Sequence, residues 1–343
     1  MQKNSDEQER AAQSRGALFL RKTMKIFRQR EFATENNMKI IFPKENEPAG
    51  QADPYILKAE GKYYIYATSG MGVELYESEN LFEGWKYLGY ALQEAGAHEF
   101  WAPCVIEKDG TYYMYYSSFD IHCDDVHQQA IKVATADSPR GPFEYKKTIL
   151  APFSIDPHVV QNESGYYIFY SINDYESDRA GTYIVVDKLI DMFTPEGKPV
   201  AVVRPTLDEE VFMRDRFKKG QNWHTIEGAF YFRKGDDHYV MYSGNCYQNE
   251  YYFVGYSYAH STENDLRKIK FEKQPSPDVY APLLSKNDEE EGTGHNSVLE
   301  ENGKYYVVYH ARDIGDKDLP VDARTARVCE MHVDGKTLTL DRD

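Results

Sequence analysis

Asp53, Asp156 and Glu227 each head a stretch of the same local design, and His295 heads another. The stretches read DPYILKAEGKYYIYAT from Asp53, DPHVVQNESGYYIFYS from Asp156, EGAFYFRKGDDHYVMYSG from Glu227 and HNSVLEENGKYYVVYHAR from His295. One more copy, APCVIEKDGTYYMYYSS, opens on Ala102. In four copies the Tyr-Tyr pair of the second strand begins 10 residues after the opening residue (53 to 63, 102 to 112, 156 to 166, 295 to 305), and the Glu227 copy runs slightly longer. Carboxyls at matching places in a repeat meet wherever the repeats surround an axis. Like charges buried side by side cannot all ionise, so at least one pKa rises and a proton is retained. A protonated carboxyl that gives a proton, beside an ionised one that activates water or attacks, is the equipment for acid–base hydrolysis. A single Asp-Pro is an ordinary turn dipeptide. It is the recurrence of acids at repeat openings that points to a site.

Each copy has to be a strand, a short polar turn and a Tyr-rich second strand. The openings at 53, 102, 156, 227 and 295 are separated by 49, 54, 71 and 68 residues. Further strand-like runs fall between them: GVELYES (72–78), AIKVATAD (130–137), TYIVVDK (182–188) and YFVGYSYA (252–259). This period and content predict an all-β fold, a five-bladed β-propeller over residues 38–343. In such a fold the innermost strand of every blade lines the axis, and the opening residues converge at one mouth. Residues 1–37 differ, being rich in Arg, Glu, Gln and Ala with apolar Leu18, Leu20, Met24 and Phe27. They predict a short N-terminal helical extension with one modest apolar stripe, and no chemistry is assigned to it.

The chain has 40 Lys+Arg against 56 Asp+Glu, a net charge of −16. That balance argues against nucleic acid and anionic membrane as partners, because both need concentrated positive charge. No apolar run approaches the length of a membrane-spanning helix. Cys104, Cys123, Cys246 and Cys329 are scattered and imply no disulfide framework. The polar start carries acids and lacks an apolar signal core, so a reducing cytoplasm is the expected location. The 29 tyrosines suit half-buried strands first, and sugar-binding surfaces second. Nothing in the sequence sets an oligomeric state.

ADP at Asp53, WAP in the second copy, IDP in the third, EGA in the fourth and GHNS in the fifth, in this order, resemble the motifs of glycoside hydrolase family 43. The resemblance runs from about residue 40 to the end of the chain. It implies an inverting enzyme on a five-bladed propeller, with Asp53 as general base, Glu227 as general acid and Asp156 as the residue that tunes the acid's pKa. The family's commoner fourth motif has Pro where this chain has Ala229, a departure that leaves the Glu intact. The resemblance also implies an axial metal, often calcium, reached by His295 directly or through water. No organic cofactor is implied. It further suggests a late arginine at the site, for which ARTARV offers Arg324 ahead of Arg327.

Aromatic residues flank two of the openings. Phe100 and Trp101 precede the second copy, and Trp223 with His224 precedes Glu227. Phe100, Trp101 and Trp223 are expected to contact substrate by stacking on a sugar at the mouth, with packing beneath a blade as the alternative. His122, Cys123, Asp124, Asp125 and His127 crowd one loop, which reads as a polar loop at the site rather than a zinc centre, since neighbouring residues rarely face one ion. The expected activity is exo-acting release of α-L-arabinofuranose from arabinoxylan or pectin oligosaccharides. β-Xylosidase activity on xylo-oligosaccharides is the alternative, endo-arabinanase activity is less expected, and a non-catalytic binding scaffold is the reading from a different class.

Overall fold

The computed structural model describes residues 38–40 and 50–342. The extension 1–37 and its expected helix lie outside the described residues. Lys39–Asp341 forms one compact unit, and the other unit, Met1–Met38 with Arg342–Asp343, falls almost wholly outside the description.

The described chain is built from five antiparallel four-stranded blades. Blade 1 runs through Ala52–Ala59, Lys62–Thr68, Val73–Ser78 and Lys86–Leu92. Blade 2 uses Ala97–Lys108, Thr111–Asp120, Ala130–Ala136 and Glu144–Thr148. Blade 3 uses Ile155–Asn162, Gly165–Asp174, Gly181–Asp191 and Val200–Val203. Blade 4 uses Trp223–Lys234, Asp237–Gly244, Phe253–His260 and Glu272–Lys273. Blade 5 closes the series with Glu290–Glu301, Lys304–Asp313, Thr325–Asp334 and Thr337–Leu340. Blades 3 and 4 also share a short parallel bridge, Gly181–Thr182 beside His224–Thr225. The start of the described chain returns to the last blade, where Ile40 N–H donates to the Ala326 carbonyl at 3.2 Å and Gln51 N–H to that of Arg324 at 2.9 Å.

The second strand of each blade is covered on both faces by its neighbours, so it does not alternate between apolar and polar residues. Lys62–Thr68 is buried along its whole interior. Tyr64, Tyr66, Tyr115, Tyr116, Tyr167, Tyr239 and Tyr309 are fully buried. Most of the tyrosine richness is therefore packing between blades. The rings fill wide interfaces, and the hydroxyls find partners, as Tyr115 does at the Met192 carbonyl (2.9 Å).

The inner strands share the device that builds the site. In each, the pairing register slips over two residues: 53–54, 102–103, 156–157, 228–229 and 295–296. The first residue of every slip has a left-handed backbone, with φ of 53° at Asp53, 45° at Ala102, 56° at Asp156, 64° at Gly228 and 46° at His295. Four of these carry a Cβ, and each such residue costs about 1–3 kcal/mol. A bulge of this kind re-aims the strand's side chains. Five such bulges are grouped around one axis.

The register also corrects the alignment of the repeats. The left-handed position in blade 4 belongs to Gly228, and Glu227 stands one residue before it. The counterparts of Glu227 are Ala52, Trp101, Ile155 and Gly294, each the last paired residue before the bulge. The longer spacing of the Glu227 copy is this one-residue offset together with His238, which takes the place of the first tyrosine of the second strand.

Candidate active site

Asp53 is held from every side. Thr68 Oγ1 donates to its Oδ2 at 2.6 Å, and the same Thr68 oxygen accepts the Ala102 N–H at 2.8 Å. His295 Nδ1 and His310 Nδ1 both lie 3.3 Å from Oδ1, and an Arg324 guanidinium nitrogen lies 3.6 Å from it. Burial alone would raise the Asp53 pKa, but the His295 ring and the Arg324 charge outweigh it and hold the carboxyl well below its usual range. Asp53 is ionised throughout the physiological range.

Glu227 is pushed the other way. Burial raises its pKa, the hydroxyl of Tyr252 (2.8 Å from Oε1) and the charge of Arg324 lower it, and the charge of Asp53 raises it; the balance stands at about 7. Asp156, on the neighbouring blade, is raised well above the carboxylate range, by burial first and then by the charges of Glu227 and Asp53. Its Oδ2 accepts the Gly228 N–H at 3.0 Å, the peptide directly after Glu227. Asp156 and Glu227 are thus two neighbouring carboxyls, both raised, and the charge of one opposes ionisation of the other. The site thus combines one carboxyl held ionised, Asp53, with two whose pKa values are raised, Asp156 and Glu227, and carboxyls pushed apart in this way suit acid–base hydrolysis.

Arg324 is where the sequence reading put it. It is buried, pairs with Asp322 (Nη2 to Oδ2, 2.6 Å) and lies over the Tyr247 ring at 4.8 Å. Arg327 is instead engaged with Glu290 and Asp313 within blade 5. His295 turns Nδ1 toward Asp53; burial lowers its pKa and the Asp53 charge opposes that. It lines a small axial cavity of about 20 Å³, together with Asp53, Asp156 and Asn296, whose Oδ1 has no hydrogen-bond partner. Calcium takes six to eight oxygen ligands. Among the described residues there is no group of three or more His, Cys, Asp or Glu placed to hold a metal. Besides the two carboxyls, already engaged by Thr68 and the Gly228 N–H, the titratable and amide groups of the lining offer His295 and one free amide oxygen, short of a calcium cage.

The aromatic expectations divide. Trp101 is half-buried, its indole N–H donating to Glu99 Oε2 at 2.9 Å. Phe100 is 0% exposed and stacked on Tyr116, centroids 5.8 Å apart, so it is core and not a substrate contact. Adjacent residues on a strand face opposite ways, and only one of the two can reach the mouth. Trp223 is also buried; the exposed rings above it are Tyr175 (5.1 Å between centroids) and Phe217 (5.5 Å). Arg216 lies over Trp223 at 4.9 Å and reaches His127 Nε2 at 3.2 Å. The loop carrying His122, Cys123, Asp124, Asp125 and His127 thereby joins the rim, with no zinc-like grouping in it.

Three contributors were not singled out from the sequence: Thr68, Tyr252 and His310. Thr68 and His310 stand late in the second strands of blades 1 and 5, opposite the bulges, and Tyr252 immediately precedes the third strand of blade 4. The signal for the first two was cross-strand pairing, since Thr68 pairs with Ala52 and His310 with Gly294.

Residues 48–336 match the profile of Glycosyl hydrolases family 43. A xylosidase/arabinosidase of Bacteroides ovatus is 23% identical over 84% of this chain and 94% of its own length. An extracellular exo-α-(1→5)-L-arabinofuranosidase of Cellvibrio japonicus is 24% identical, over 83% of this chain and 84% of that protein. The crystal structure of a thermostable family-43 glycoside hydrolase superposes with a TM-score of 0.71 at 29% identity, covering 88% of this chain and 97% of the other. With the profile spanning most of the chain and the carboxylates gathered on the axis of five blades, this protein belongs to glycosyl hydrolase family 43 and is a glycosidase.

Proposed function

We propose that the protein is an exo-acting, inverting α-L-arabinofuranosidase that trims arabinofuranose from arabinoxylan or pectin oligosaccharides. The observation that carries this reading is the opposed tuning of two carboxyls in one buried site: Asp53 is held ionised, and Glu227 is raised to about 7. Asp53 takes a proton from the attacking water, and Glu227 gives its proton to the departing glycosidic oxygen. Asp156 opposes ionisation of the donor and fixes the peptide beside it. Arg324 stabilises Asp53 and presents a guanidinium to sugar hydroxyls. Relatives named for exo-arabinofuranosidase and for combined xylosidase/arabinosidase activity support the sugar assignment.

β-Xylosidase activity is the second reading. A β-xylosidase of Xylanibacter ruminicola, 25% identical over 69% of this chain, favours it. The two are separated by comparing kcat/KM on nitrophenyl α-L-arabinofuranoside and nitrophenyl β-D-xyloside. The arabinoside is expected to win. NMR of the first-formed product is expected to show the inverted anomer; the retained anomer or a trapped glycosyl-enzyme would remove Asp53 from the role of base.

A further inference from the structure

The Tyr252 hydroxyl donates to Glu227 Oε1 at 2.8 Å. The same ring lies parallel to the His310 imidazole, with centroids 5.7 Å apart and 5° between the planes. His310 Nδ1 in turn accepts the Asp53 N–H at 3.1 Å, which leaves the ring's proton on Nε2. Gly294 makes room for Tyr252, because a Cβ at that position would sit 1.9 Å from the ring's Cε1. Gly294 is the blade 5 counterpart of Glu227 and pairs with His310 across the sheet. One tyrosine ring thus fills the place of a missing side chain in blade 5 and reaches the acid of blade 4. The loop that carries it is held by Arg312, whose guanidinium donates to the Tyr247 and Asn249 carbonyls.

We propose that Tyr252 is a positioning residue for the proton donor, and that its ring, seated on His310 in the space left by Gly294, ties the placement of Glu227 to that of Asp53. The inference rests on the reading of Glu227 as the acid. Its chemistry follows from the direction of the hydrogen bond. Tyr252 is buried, and its own pKa is raised well above that of an exposed tyrosine, by burial first and then by Glu227, so it remains a donor. A hydroxyl donating to Oε1 makes that oxygen the carbonyl-like one and leaves Oε2 to carry the proton. Once the proton has left for the glycosidic oxygen, the same bond stabilises the carboxylate that remains.

The groups facing Glu227 are Tyr252 from its own blade, Asp156 from blade 3, and Asp53 and Arg324 from blades 1 and 5. Cys246 and Tyr247 approach from the loop before Tyr252. Only Tyr252 donates a hydrogen bond to the Glu227 carboxyl among the described contacts, so its removal has a distinct signature.

Tyr252→Phe keeps the ring, the stack and the fit against Gly294, and removes only the donor. On a glycoside with a poor leaving group its kcat/KM is expected to fall about tenfold or more. A nitrophenyl glycoside should lose less, because its departure depends less on protonation. The alkaline limb of the pH profile should move to higher pH, since a hydrogen bond that favoured the ionised carboxyl is gone. A 13C-carboxyl NMR titration of Glu227, which needs no substrate, should move the same way. Gly294→Ala should copy these changes with the hydroxyl still present, by displacing the ring; if that variant does not fold, Tyr252→Phe decides alone. A Tyr252→Phe protein with the parent rate and parent limb would overturn the proposal. So would an equal loss on both leaving groups with an unmoved limb, the mark of a merely structural tyrosine. Failure of the underlying reading shows elsewhere, as equal loss on both leaving groups in Glu227→Gln itself.

Discussion

Asp156 and Gly228 are joined by a 3.0 Å hydrogen bond from the Gly228 N–H to Oδ2, so a carboxyl of blade 3 holds the backbone immediately after the acid of blade 4. Two effects of Asp156 on Glu227 are therefore separable. One is geometric and acts through the peptide, and the other is electrostatic and acts through the repulsion between two neighbouring carboxyls.

Asp156→Asn keeps an acceptor for the Gly228 N–H but removes the charge. The second ionisation of the pair no longer places a charge beside a charge, so the pair's upper pKa falls. The alkaline limb of kcat/KM should move to lower pH, with a modest loss at the optimum. Asp156→Ala removes the acceptor as well and should lower kcat much further. Identical profiles for the two variants would show that the hydrogen bond has no role in placing Glu227.

Glu227→Gln keeps the shape and removes the proton. Activity on poor leaving groups should fall on the order of 100-fold or more, and activated aryl glycosides should suffer less. The same variant should be more thermostable at alkaline pH. Glu227 has a folded pKa of about 7 against an ordinary 4.5, so ionising it penalises the folded state. The penalty is absent at low pH, grows as pH rises above the unfolded value, and is complete above the folded one. It is on the order of 3 kcal/mol at most. The Tm of the parent should drop between pH 5 and pH 8 by more than that of Glu227→Gln. Equal drops would mean that the carboxyl ionises without cost.

Arg324 lowers the pKa of both Asp53 and Glu227. Replacing it with Gln should raise both, and the bell-shaped profile should translate to higher pH rather than narrow. The alkaline limb is the more accessible readout, because Asp53 starts well below the usual range. The guanidinium also holds Asp322 and covers Tyr247, so a roughly tenfold to hundredfold loss in kcat/KM is expected from the lost charged hydrogen bonds. A profile that narrows instead would show that Arg324 acts on one carboxyl only.

The repeat, the five blades and the two axial aspartates could be read from the sequence because a ten-residue spacing reports hairpin length directly. Glu227 was read one place out of register, since its bulge begins on Gly228 and the strand before it carries the acid. The raised pKa values of Asp156 and Glu227 follow from burial, which no local sequence pattern reports. Tyr252 was hidden because its ring crosses between blades into a vacancy made by a glycine more than forty residues away. No local pattern encodes such a contact. Phe100 was misassigned because strand neighbours alternate in direction, and its ring took the core-facing place.

Trp223 was expected to meet substrate, and the structure buries it beneath Tyr175 and Phe217, which are 49% and 55% exposed. These two rings, with Arg216 between them and His127, form an aromatic and cationic shelf on the rim. Trp223 precedes Glu227 by four residues on one strand, so their backbones lie roughly 13 Å apart. A separation of that size exceeds one sugar ring, so the sugar expected at the shelf is a unit beyond the one next to the scissile bond. Phe217→Ala and Tyr175→Ala should each raise KM several-fold on tri- or tetrasaccharides while leaving kcat and the hydrolysis of nitrophenyl monosaccharides unchanged, because stacking on a distal sugar contributes equally to ground and transition states. Trp223→Ala should instead lower Tm, as expected for loss of a large buried ring. A rise in KM on the nitrophenyl monosaccharide would move the shelf inward to the reacting sugar, and no change on any oligosaccharide would leave Tyr175 and Phe217 as surface residues without a part in binding.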